Sequence, residues 1–162
     1  MMVKVDGCLK NMSKLSKRNK TSGFTLLEVL LSIAVIGLIA GIGTPIYLSL
    51  QTRNDLYIAE NSTVHSLRHA QLLSQIVDGD SSWGIYLQNG SVTIFRGLNY
   101  SSRNTDFDKI IILPGNITTS GVSEIIYEKF TGIPLATGTI TLTSNANEIK
   151  NITVNSKGMV GY

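Results

Sequence analysis

The chain has 162 residues and a formal net charge of +3, but that charge joins two unlike parts: residues 1–23 hold six basic residues against Asp6, while residues 24–162 hold eight basic and ten acidic. A basic nucleic-acid surface needs Lys and Arg clustered on the folded part, so this balance argues against one. The single cysteine, Cys8, lies in the basic segment, which leaves the rest without an internal disulfide, and the length has room for one small domain rather than two.

Residues 1–23 are basic and polar with no apolar periodicity, and read as a leader without regular structure. The run over residues 24–48 carries one charge, Glu28, and residues 29–46 are uncharged throughout. That approaches the ~20 apolar residues a helix needs to span hydrocarbon, so a membrane-embedded helix is expected over 24–48. The Lys and Arg ahead of it hold the N-terminus on the cytoplasmic side and direct the C-terminal part outward. Thr25 offers a capping hydroxyl, and Gly37 and Gly41 form a small-xxx-small pair. Pro45 lacks an N–H and follows Gly41 and Gly43, so a kink or a locally melted turn is expected there.

Residues 49–78 continue as an amphipathic helix. Leu56, Ala59, Thr63, Leu67, Ala70, Ser74 and Val77 recur at three- or four-residue spacing, and Val64, Leu73 and Ile76 widen that face. The sequence "DGDSS" ends the helix, with Gly79 as the expected left-handed cap. From residue 79 to 162 the period changes, and short β-rich segments are expected at 83–87, 91–96, 109–113, 123–129, 138–143, 149–154 and 159–162. "YLQNGSVTIF" reads as a hairpin turning at Asn89 and Gly90 with type I′ geometry. The expected fold class is α+β: one long N-terminal helix, its second half packed on an antiparallel sheet domain.

Chemistry-bearing residues are sparse. His65 and His69 are spaced as two metal ligands on one helical face, but no third ligand accompanies them in sequence. Asp78 with Asp80, and Asp106 with Asp108, offer oxygen ligands for calcium without the spacing of an EF-hand loop. No GxSxG elbow occurs. Catalytic, cofactor and metal sites are therefore all expected to be absent. Trp83 reads as a packing residue between helix and sheet. Arg96 and Arg103 flank "RGLNYSSR", a small basic and aromatic patch around Tyr100 that offers a partner or a DNA strand a contact.

Gly23, between the basic leader and Phe24, lets a protease approach the backbone closely, and points to removal of the leader with retention of the apolar helix. The run is too long for an ordinary signal peptide and lacks a following small-x-small site. A lone carboxylate in hydrocarbon costs about 2–3 kcal/mol or more. Cleavage after Gly23 frees an amine on Phe24, four positions before Glu28, and side-by-side packing with a small axial offset lets Glu28 of one chain meet the amine of its neighbour. A wrong offset leaves both charges unpaired, so this pair sets the register between helices.

The stretch "SGFTLLEVLLSIAVIGLIAGIGTPIY" closely resembles the amino-terminal segment of type IV pilins and of the pseudopilins of type II secretion systems. The resemblance implies processing by a prepilin peptidase after Gly23, N-methylation of Phe24, an assembly role for Glu28, and Pro45 as the residue that breaks the helix in assembled filaments. "LRHAQLLSQ", "WGIYL", "IIYEKFTGIP" and "ITLTSNANEIKNITVNSKGMV" look like the H-type minor pseudopilins and related minor pilins, whose domain ends in a strand, a glycine turn at Gly158 and a last short strand. A structural, non-enzymatic subunit of a secretion pseudopilus or type IV pilus-like filament is implied, anchored by one pass in the cytoplasmic membrane with its domain outward. Its implied partners are the peptidase, sibling subunits, an inner-membrane assembly platform and exported cargo. The alternative is a minor pilin of a DNA-uptake pilus.

Overall fold

The computed structural model describes residues 23–162, so the leader expected over residues 1–23, Cys8 included, lies outside the described residues apart from its last residue, Gly23. Helix α1 runs over Leu26–Gln75, 50 residues. Its start is set by Thr25, whose Oγ1 accepts the Glu28 N–H at 3.2 Å while its carbonyl accepts the Val29 N–H at 3.2 Å. This is one arm of a Thr-x-x-Glu capping box. The helix assignment continues through Pro45, so the melted turn expected there is not seen in the single chain. The chain divides into two compact units, one ending at Gly41 and one from Ile42 to Tyr162.

In the second unit the helix buries Leu56, Ala59, Val64, Leu67 and Ala70. Between them lie the small polar residues Thr63, Ser66 and Ser74, also buried. Thr63 and Ser66 return their hydroxyls to the carbonyls of Ala59 and Ser62 at 2.8 and 2.7 Å, so neither carries an unmet hydrogen-bonding group into the interface. The stripe anticipated from sequence is therefore the buried one as far as Ser74. Ile76, expected to widen it, is 61 % exposed because the helix stops at Gln75. The left-handed residue after the helix is Val77, φ 58°, ahead of the expected Gly79 at φ 63°. A β-branched residue adopts that conformation only under constraint, and here the chain turns within a few residues so that Trp83, the first residue of β1, meets the Ser74 hydroxyl.

Eight strands follow: β1 Trp83–Gln88, β2 Ser91–Arg96, β3 Asn104–Ile112, β4 Ile117–Gly121, β5 Glu124–Tyr127, β6 Gly138–Ser144, β7 Ile149–Val154 and β8 Val160–Gly161. They form two four-stranded antiparallel sheets, ordered β3-β2-β1-β5 and β4-β6-β7-β8, rather than one. β4 escaped the sequence reading because "ITTSG" has a single apolar residue. Its pairing with β6 and the burial of Ile117 make it a strand. Ile85, Leu87, Val92, Ile94, Ile125 and Tyr127 of the first sheet share one core with Ile117, Ile140, Leu142, Ile152 and Val154 of the second and with the helix. The hairpin turns between Gln88 and Ser91 as expected, but only Gly90 has positive φ, 85°, so the turn is not type I′. Asn89 instead uses its side chain, Oδ1 accepting the Thr119 N–H at 2.9 Å.

One hydroxyl joins helix and sheet. Ser74 Oγ, fully buried, accepts the Trp83 N–H at 2.9 Å and donates to the Tyr127 carbonyl at 3.0 Å, while the Ser74 carbonyl accepts the Phe130 N–H at 3.0 Å. Trp83 packs in the core with its indole N–H donated to the Asp78 carbonyl at 2.9 Å. By contrast the Tyr127 hydroxyl is buried with no partner, and burial pushes its phenol well above the usual range. Ser74→Ala is expected to destabilise the chain by about 1–3 kcal/mol by leaving a buried N–H unmet, whereas Tyr127→Phe should be neutral or stabilising by up to about 1 kcal/mol. Denaturant unfolding of the two variants in detergent checks the contrast.

Candidate functional site

The residues singled out for processing lie together at the start of the described chain. Gly23, Phe24 and Thr25 precede the helix without regular structure, and a Cβ added to Gly23 would meet nothing within 4 Å. Phe24 is 82 % exposed. Glu28 occupies the third helical position, where a carboxylate is favoured by the unpaired N–H groups and dipole of the first turn. Its carboxylate has no hydrogen-bond or ion-pair partner among the described residues.

From Phe24 to Gly41 every side chain is exposed, among them Leu26, Leu27, Leu30, Leu31, Ile33, Ile36, Leu38 and Ile39. A helix apolar all round is stable only with lipid or other protein around it. Gly37 and Gly41 leave open space beside the backbone, which admits close approach of a neighbouring helix. Among the described residues no helix is long and apolar enough to cross a membrane. The apolar run continues in sequence through residues 42–46, whose side chains, that of Pro45 among them, lie outside the described ones.

Residues 18–44 match the family model of the prokaryotic N-terminal methylation motif. The match is confined to this segment, where Gly23, Phe24 and Glu28 lie, and it supports an N-terminus of type IV pilin or pseudopilin type. Among solved structures the chain is similar to the minor pseudopilin EpsH from the type 2 secretion system of Vibrio cholerae, with 11 % identity and a TM-score of 0.49 over 66 % of this chain and 94 % of that one. No curated protein matches it in sequence.

The other candidate residues take different roles from those their sequence offers. The basic and aromatic loop is occupied internally: Tyr100 stacks on Tyr86 at 3.8 Å and meets Phe95 edge-on at 5.5 Å, and the Arg103 guanidinium lies 3.6 Å over the Tyr100 ring. Arg103 also donates to both Asp108 carboxylate oxygens at 3.0 and 2.8 Å. Arg96 lies 4.3 Å from the Phe107 ring centre. These cations serve to clamp the loop over the outer face of the first sheet. The two acidic pairs are split in the same way, Asp108 by Arg103 and Asp80 by Lys129, whose ammonium holds the Asp80 carboxyl below the usual carboxylate range. Among the described residues no group of three or more His, Cys, Asp and Glu side chains converges. His65 and His69 line a cleft of about 400 Å³ with Ser62 and Ser66 of the helix and Ile94, Lys109 and Ile111 of β2 and β3.

Three polar ties between helix and second sheet were not legible, because each partner is remote in sequence. Arg53 donates to Glu148 at 2.9 Å, and Asn116 donates to Asp55 at 3.0 Å. Glu60, buried, is 3.2 Å from Lys150 Nζ and keeps its Oε1 without a partner. Lys150→Met is expected to cost about 1–3 kcal/mol by stranding the Glu60 carboxylate, and Glu60→Gln in the same background should recover part of that loss. Thermal unfolding of the single and double variants decides it.

Proposed function

We propose that this chain is a minor, H-type subunit of a type II secretion pseudopilus or type IV pilus-like filament. It is inserted by residues 24–48 in the cytoplasmic membrane with residues 79–162 outward, and freed of its leader by a prepilin peptidase after Gly23. The observation that carries the reading is Glu28: an acid with no partner among the described residues, at the start of a helix exposed and largely apolar on every side, four residues from the amine that cleavage creates. Methylation of Phe24 keeps that amine positive. Apolar helix faces supply attraction without direction, and the pairing of the Phe24 amine with Glu28 of a neighbour fixes the axial offset, since a misaligned pair leaves two charges unmet in a medium that solvates neither. Pro45 supplies the place where the helix yields when the rods pack into a curved polymer. The assembly platform extends the polymer, which carries exported protein or a fibre outward.

A DNA-uptake role gains nothing from the one patch that favoured it in sequence, because Arg103 and Arg96 are engaged with Asp108, Tyr100 and Phe107.

Glu28→Ala is expected to leave membrane insertion and leader removal intact while lowering incorporation into filaments roughly tenfold or more, read by fractionation, cross-linking and mass spectrometry in the host. Normal incorporation of that variant, or assembled material that still carries residues 1–23, would overturn the proposal.

A further inference from the structure

The first sheet ends at β3, whose one strand neighbour among the described residues is β2. In the second half of β3 the register is regular: Lys109 lies opposite Ile94, Ile110 opposite Thr93, Ile111 opposite Val92 and Ile112 opposite Ser91. Leu113 donates its N–H to the Gly90 carbonyl at 2.9 Å. Residues of an antiparallel strand alternate between bonding their neighbour and turning their backbone groups away. Lys109, Ile111 and Leu113 therefore bond β2, and Ile110 and Ile112 aim their N–H and C=O groups outward from the sheet.

Side chains follow the same alternation. Lys109 and Ile111 point to the helix side, where they wall the cleft with His65 and His69. Ile110 and Ile112 lie on the opposite face, 61 and 75 % exposed. Exposed edges are commonly protected by bulges, charge or proline. The bulge of β3 lies before Lys109, between the pairings of Ile94 and Arg96, so within 109–112 only Lys109 offers such protection and the backbone of Ile110 and Ile112 is open. Among the described residues no acidic side chain lines the cleft, and the side chains of Lys109, His65 and His69 have no hydrogen-bond or ion-pair partner.

We propose that this edge accepts an extended segment of a partner protein as an added strand, and that the segment alternates acidic and apolar residues. Its backbone would pair with Ile110 and Ile112, one set of side chains would place carboxylates at Lys109, His65 and His69, and the other set would cover the two exposed isoleucines. The strand edge supplies the affinity, and the Lys109 ammonium with the imidazole N–H groups beside it selects the sequence. This inference does not rest on leader processing or on Glu28.

The test uses the full chain in detergent and three short synthetic peptides: one alternating Glu and Val, one alternating Lys and Val, and the first with Pro at alternate positions. The Glu/Val peptide is expected to bind and to slow amide exchange at Ile110 and Ile112, while the other two bind weakly or not at all. Lys109→Glu should weaken binding roughly tenfold. Ile112→Pro removes an outward N–H that the fold does not use, and should abolish binding while leaving thermal unfolding nearly unchanged. Equal binding of the Lys/Val peptide, failure of the Glu/Val peptide to bind, or binding that survives Ile112→Pro would each overturn the proposal. So would self-association of the chain that Ile112→Pro abolishes, because the edge would then serve a second copy.

Discussion

The buried hydroxyl of Ser74 is the contact on which the architecture of the second unit turns. A helix end leaves carbonyls unmet and a sheet entering the core brings N–H groups with it. Ser74 answers both at one point, accepting from the first residue of β1, donating to the last of β5, and lending its own carbonyl to the N–H of Phe130. The tight reversal at Val77 and the placement of Trp83 in the core follow from that junction. Strands β1 and β5 are central and outer members of the first sheet, so the junction also decides which strand is left at the far edge.

The two parts of α1 satisfy opposite demands. Up to Gly41 its side chains are mostly apolar and exposed on all sides; the Ser32 hydroxyl returns to the Glu28 carbonyl, and only Glu28 carries a charge. In the second unit the helix buries one stripe built of Leu and Val with Ala, Thr and Ser between them. Small residues let the helix lie close to the strands, and their hydroxyls bond within the helix, so closeness costs no unmet polar group. Attraction from apolar surface recurs in both parts, while selectivity comes from single polar groups: Ser74 and Glu60 inside the domain, Glu28 in the proposed filament.

Charge is used inside this domain more than its net balance implies. Arg103 with Asp108 and Lys129 with Asp80 close loops, and Glu60 with Lys150 and Arg53 with Glu148 tie helix to sheet. Residues that read as a calcium loop or a basic binding patch are thereby accounted for locally. Lys109 and the two histidines are hydrogen-bond donors left without a partner among the described residues at the cleft beside β3, which is why that edge, and not the arginine loop, carries the inferred interaction.

The sequence by itself determined what depends on local pattern. The methylation motif, the cap at Thr25, the stripe from Leu56 to Ser74, the hairpin at Asn89 and Gly90, and the strand, glycine turn and short strand at the C-terminus are each set by neighbours within a few residues. Tertiary structure alone decided that the strands divide into two sheets, that "ITTSG" is a strand, that β3 lies at an edge, and that Glu60 is buried against Lys150. Those outcomes rest on pairings between residues dozens of positions apart, where propensity is silent and the shared core chooses among registers that the local chain tolerates equally.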